Sequence, residues 1–250
     1  MADYLSNTEE FTSVAEAIRT KGGTTAQLAW PAGFVQAVDA IQTGGGDYEF
    51  LSKATHIEFA NINSFGAENV VLNLPNVHWM DNMICPNGYY SPNTENKTVK
   101  HITINSSEKP VTFYHIVSPQ GGSGGYIDQL LNRITLNVDT SQATNFKQAF
   151  WGNNNLKTID GFPLDFSSVT NAVGAFAGCY GLEEIRFSEN TIHVDISIDN
   201  CGRLSSESVQ SIIDGLATIS ESKSIHLNHA LSISDSQKAQ ITSKNWTLVQ

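Results

Sequence analysis

The chain is 250 residues long, with 14 basic and 25 acidic residues for a net charge of −11, and only 16% of its residues are charged. No Lys/Arg cluster marks a phosphate-tracking surface, which argues against a nucleic-acid partner, and no stretch approaches the ~20 apolar residues of a membrane span. Cys85, Cys179 and Cys201 are widely spaced and odd in number, a poor basis for a disulfide framework.

The first 46 residues read as a helical hairpin. Phe11, Val14, Ala15 and Ile18 fall at spacings of three and four, and Gly22-Gly23 ends that helix. Pro31 then opens a second, with Phe34, Val35, Val38 and Ile41 on one face. Gly44-Gly45-Gly46 forms a flexible joint. Two short helices bury little on their own, so the hairpin is expected to pack on a partner chain or on the following domain. The opening MADYLSNTEEF is acidic and lacks an apolar run, so no secretory signal is read there.

Short strands follow. HIEFA (56–60), NVVLNL (69–74), KHITIN (100–105), VTFYHIV (111–117) and RITLNV (133–138) are rich in β-branched and aromatic residues and bounded by turn formers. Polar loops at 78–98 and 118–126 interrupt them. GGSGG (121–125) lacks the Lys and helix of a phosphate cradle and reads as a plain loop. The loop aromatics Trp79, Tyr89, Tyr90 and Tyr126 are the candidate binding residues, because flat rings on loops suit stacking on sugars or anchoring protein contacts. They serve equally well to pin long loops to the scaffold.

Residues 139–159 and 165–185 are copies of one unit. Asp139/Asp165, Ser141/Ser167, Thr144-Asn145/Thr170-Asn171, Ala149-Phe150/Ala175-Phe176, Gly152/Gly178, Leu156/Leu182 and Ile159/Ile185 all match at a single offset of 26 (165 − 139). Leu131-xx-Ile134 suggests a preceding turn and Cys201-xx-Leu204 a fading last one. Such a period with L-x-x-I at a fixed place implies stacked turns, each with a short strand pointing Leu and Ile inward. After these, LSSESVQSIIDGLATI sets Val209, Ile212, Ile213 and Leu216 on one helical face with Ser205 or Ser206 as N-cap. SIHLN reads as a strand, SDSQKAQITSK as a helix with Ser234 and Gln237 at capping-box spacing, and NWTLV as a last strand. This mixed α/β segment from about residue 205 is expected to cap the stack.

Specific catalytic signatures (HExxH, GxxxxGK[ST], GxSxG, paired CxxC) are absent from the chain. Cys179 beside Glu183 and Glu184 suggests a nucleophile, but its repeat partner is Asn153, and neighbouring carboxylates raise a thiol's pKa. The two glutamates are adjacent on a strand and so face opposite ways, unlike a glycosidase pair. His226 and His229 fall on opposite faces of a strand, which does not favour a metal site. No cofactor is expected. The sequons at Asn96, Asn105 and Asn245 carry little weight without an export signal.

The motifs AF-x-G-C-x-x-L-x-x-I and D-x-S-x-x-T-N resemble the BspA-like leucine-rich repeats of bacterial surface proteins, most closely over 131–204. The hairpin, with AIR-x-K-G-G followed by P-x-GF-x-x-A-V, is similar to a segment that opens many tail-associated proteins of phages and prophages of Gram-positive gut bacteria. The resulting expectation is an α/β chain. Residues 1–46 form the attachment hairpin, and 47–250 a leucine-rich-repeat solenoid of short parallel strands. The resemblance implies a non-enzymatic tail component in the virion, made in the host cytoplasm. It would bind tail or baseplate proteins through 1–46, and a bacterial surface glycan or protein through the solenoid, with a homo-oligomer as a further option. A cell-surface adhesin and a carbohydrate-active enzyme on a β-solenoid are the alternatives.

Overall fold

The computed structural model describes residues 68–81, 83, 99–117 and 130–250, all within one compact unit. The segment 1–46, the strand read at 56–60 and the loop 118–126 lie outside the described residues, as do Tyr89, Tyr90 and Tyr126.

Strands β1 (Asn69–Asn73), β2 (His101–Asn105), β3 (Arg133–Asn137) and β4 (Thr158–Gly161) form one parallel sheet in chain order. Every second side chain turns inward, so the register stacks Val70, Ile102, Ile134 and Ile159 in one buried row and Leu72, Ile104 and Leu136 in the next. Parallel neighbours in chain order require the chain to wind fully round between strands. The result is a parallel β-solenoid of about five turns. Leu131, Leu156 and Leu182, the first positions of the L-x-x-I motifs, are fully buried beneath it.

The return path forms a second wall, linked by single parallel bridges Trp79–Thr112, Thr112–Asn145 and Asn145–Asn171. The expected strand at 111–117 is a turn instead. Its amides do pair axially, Phe113, His115 and Val117 donating to the carbonyls of Asn145, Lys147 and Ala149 at 2.8, 3.3 and 3.0 Å. However, His115 takes φ 51°, which bends the chain out of strand geometry. Gln148 (54°) and Gly174 (67°) repeat that left-handed step in the next turns. Behind this wall the rings stack: Phe113 on Phe146 at 4.7 Å and Phe150 on Phe176 at 5.7 Å between centroids.

The two copies of the repeat make the same bonds. Ser141 and Ser167 amides each donate to the Asp two residues before, at 2.9 Å. Asn145 and Asn171 side chains accept from Lys147 and Val173 amides. The Thr144 and Thr170 hydroxyls each donate to a carbonyl one turn back, those of Val111 and Thr144. Gly152 and Gly178 share φ near 80° (81° and 78°), where a side chain would be strained. Three aligned residues face the preceding turn with a donor: Asn153 Nδ2 to Val117 O at 2.6 Å, Cys179 Sγ to Phe150 O at 3.2 Å, and Cys201 Sγ to Phe176 O at 3.9 Å.

Helix α1 (Ser206–Gly215), N-capped by Ser205, closes the last turn. The Ile185 and Phe187 amides lack a strand partner and donate instead to the hydroxyls of Ser208 and Ser211, at 3.0 and 2.9 Å. A second parallel sheet joins β5 (Ile196–Ile198), which precedes α1 in the chain, to β6 (Lys223–Leu227) and β7 (Trp246–Val249), which follow it. Helix α2 (Asp235–Ser243) carries the Ser234–Gln237 capping box read from the sequence. The Lys244 ammonium, whose pKa burial lowers, donates to the carbonyls of Ile213, Asp214 and Leu216 at the end of α1, at 3.1, 2.9 and 2.6 Å.

Candidate binding surface

Of the four candidate aromatics, Trp79 is described, and the residue is 47% exposed. Its backbone is held on both sides: the Val111 amide donates to His78 O at 2.9 Å and the Met80 amide to Thr112 O at 3.1 Å. Asp81 adds a second tie, accepting the Thr112 hydroxyl at 2.5 Å and the Tyr114 amide at 3.1 Å. The ring therefore stands on a fixed wall, with His78 edge-on at 6.0 Å. It borders an open groove of about 470 Å³ whose other lining residues include Ser107, Glu108, Lys109 and Gln142. Along the groove the His78 ring lies 3.8 Å from the Glu108 carboxylate, and Lys109 contacts Asp139 at 2.8 Å. The Lys109 contact, with the Ser141 bonds, holds the Asp139 carboxyl down at about 2.

The outward face of the first sheet carries polar rows fixed by the same register. Asn105 Nδ2 donates to Asn73 Oδ1 and Asn137 Nδ2 to Asn105 Oδ1, each at 2.8 Å over a spacing of 32 residues. Beside this ladder, Thr135 donates to Asp160 at 2.6 Å and meets His101 Nε2 at 2.9 Å, while Arg133 also binds Asp160. Burial opposes the charge on Asp160, but the Thr135 and Arg133 hydrogen bonds outweigh it and hold the carboxyl below its usual range. Burial, aided by Arg133, lowers the His101 pKa. These groups satisfy one another across successive turns, so they stiffen the face.

This cluster was not singled out in the sequence, because the turns that bring it together differ in length. Thr135 and Asp160 are 25 residues apart, while His101 and Thr135 are 34 apart. The available signal was the outward half of each strand, H-x-T at 101, R-x-T at 133 and T-x-D at 158. No sequence pattern marks Phe162 either. Partner spacing falls from 26 (184 − 158) to 23 (187 − 164) across β4, so three residues bulge, and Phe162 is left 53% exposed.

The other sequence candidates sit as follows. Cys179 and Cys201 are buried, free thiols. Burial pushes Cys179 well above its ordinary pKa and Cys201 up to about 12, so neither is a thiolate at neutral pH. Glu184 is exposed and Glu183 half-buried, the latter 3.9 Å from Lys157. His226 lies in β6 and His229 beyond its end, exposed. Among the described residues there is no group of three or more His, Cys, Asp and Glu able to hold a metal, and no helix long and apolar enough to cross a membrane. Comparison of the chain with protein-family models, curated proteins and solved structures gives no match.

Proposed function

We propose that this chain is a non-enzymatic recognition protein of the BspA-like leucine-rich-repeat kind, a component of a phage or prophage tail. Residues 1–46 attach it to tail or baseplate proteins, and the solenoid presents a surface to a glycan or protein on a bacterial cell. The observation that carries this reading is Trp79, a half-exposed residue whose flanking backbone is hydrogen-bonded to the next turn, beside a groove lined by Ser107, Glu108, Lys109 and Gln142. A rigid, solvated surface with a projecting aromatic is suited to binding. The placement in a tail rests on the resemblance of residues 11–43, and many copies on one particle would raise weak contacts to useful avidity.

The test is attachment of the labelled full chain to a panel of Gram-positive gut bacteria, with recovery of tail particles from lysates as a second measurement. Saturable attachment that weakens in Tyr89→Ala and Tyr90→Ala, at unchanged melting temperature, supports the reading. Attachment to none of the panel refutes it.

A further inference from the structure

We infer that the groove at Trp79 is a subsite for a neutral, hydroxyl-rich ligand, the pyranose ring of an uncharged glycan. This rests on the recognition reading above and names the ligand class of that surface. The argument begins with the ring. Tryptophan ordinarily buries most of its large surface, yet Trp79 keeps 47% exposed while its neighbours Val77 and Met80 are fully buried. The exposed Phe162 stands on a bulge, whereas Trp79 lines a concavity together with hydrogen-bonding side chains. A sugar ring has an apolar C–H face and a rim of hydroxyls, and this pairing of a flat ring with polar groups beside it matches both.

The polar groups are of the right type. Glu108 accepts, Lys109 donates, Gln142 does both, and the Ser107 hydroxyl keeps lone pairs free while donating to Pro75 O at 3.0 Å. Among the described residues the one ammonium lining the groove, Lys109, is already paired with Asp139 at 2.8 Å, and Glu108 adds a carboxylate. A groove whose cation is engaged in this way offers no field that draws an anion, and its hydrogen-bonding rim suits an uncharged ligand. A protein partner fits less well. Such an interface covers about 800 Å² per side around an apolar centre, whereas among the described residues the apolar linings of this groove are Trp79 and Val111 alone.

The probes are maltotriose, cellotriose and chitotriose, with trigalacturonate as the anionic control, titrated into the full chain by calorimetry. The expected result is saturable binding of at least one neutral trisaccharide at roughly millimolar Kd, with trigalacturonate weaker. Trp79→Ala should reduce affinity at least about tenfold and Gln142→Ala severalfold, while Phe162→Ala leaves it unchanged. Circular dichroism checks that each variant keeps the wild-type melting temperature. No saturation by any neutral trisaccharide, or binding indifferent to both Trp79→Ala and Gln142→Ala, overturns the inference.

Cells separate this failure from that of the broader reading. Attachment that survives periodate oxidation of the cells but is lost on protease treatment means a protein receptor. That outcome sinks the glycan subsite and leaves recognition standing. Periodate-sensitive attachment that Trp79→Ala weakens supports the subsite.

Discussion

Replacing Gly161 by alanine tests the stacking geometry most directly. Gly161 sits at φ +95°, where an L-residue is strained by ~1–3 kcal/mol. Its Cβ would lie 2.3 Å from the carbonyl oxygen of Leu136 and 2.9 Å from Asn137 Oδ1. The first contact is with backbone of the neighbouring turn, which has to retreat by about 1 Å to reach ordinary van der Waals distance. That retreat breaks the bond from the Phe162 amide to the same oxygen, now 2.8 Å, at a further ~1–3 kcal/mol if the oxygen is left unpaired. A loss of about 2–6 kcal/mol follows, a large share of the ~5–15 kcal/mol of an ordinary domain.

Gly174→Ala is the control. It too has positive φ, +67°, but its nearest neighbour is Gln148 Cγ at 3.3 Å, a side-chain rather than a backbone atom. Restricting the unfolded chain returns ~0.4–1 kcal/mol, so the net loss should be about 1 kcal/mol. Urea unfolding of the full chain, followed by far-ultraviolet circular dichroism, gives both midpoints. Losses within about 1 kcal/mol of each other would refute the claim that turn-to-turn backbone contact, not conformation alone, fixes Gly161.

Three further outcomes follow from the described bonds. Iodoacetamide at pH 8 should leave Cys179 and Cys201 unmodified in native protein and alkylate both in denaturant; peptide mass spectrometry reads this, and native labelling would contradict their burial and raised pKa values. Because Asp139 titrates at about 2 when folded against ~3.9 unfolded, its contribution is present above the unfolded value and fades as pH falls toward 2. Asp139→Asn should therefore flatten the acid side of a Tm–pH curve, by a small amount that added salt reduces, since the pair is solvent-exposed. Lys244→Met keeps the aliphatic stem but takes the ammonium from three carbonyls; Ile213 O and Asp214 O keep the Leu216 and Asn190 amides while Leu216 O loses its 2.6 Å bond, and stability should fall by about 1–3 kcal/mol in urea titration.

The parts of the fold legible in the sequence were those set by local chemistry. The Ser234–Gln237 box, the Ser205 cap, the alternating NVVLN, HITIN and RITLN, and the L-x-x-I positions each specify their geometry within a few residues. VTFYHIV failed because its composition favours a strand while its backbone is bent by a left-handed histidine, and nothing in the seven residues announces that choice. Three-residue β5 is too short to show a period. The repeat also reaches further back than the 26-residue echo, since Val99 and Ile102 are buried as Leu131 and Ile134 are. Turns of 32 residues between Asn73, Asn105 and Asn137 hide that relation from a fixed-offset alignment. For the candidate surface, the exposure of Trp79 was readable as a loop aromatic, but its groove is assembled from two other turns.

The row of carbonyls at Val117, Phe150 and Phe176, each met by a donor from the following turn, makes the stack a modular ruler. Any inserted copy of the 139–164 unit would present the same acceptor above and the same donor below. Each one would lengthen the scaffold by about 4.8 Å without disturbing its neighbours. Reach can then change by duplication alone, while the groove at Trp79 and the closing helix keep their own surroundings.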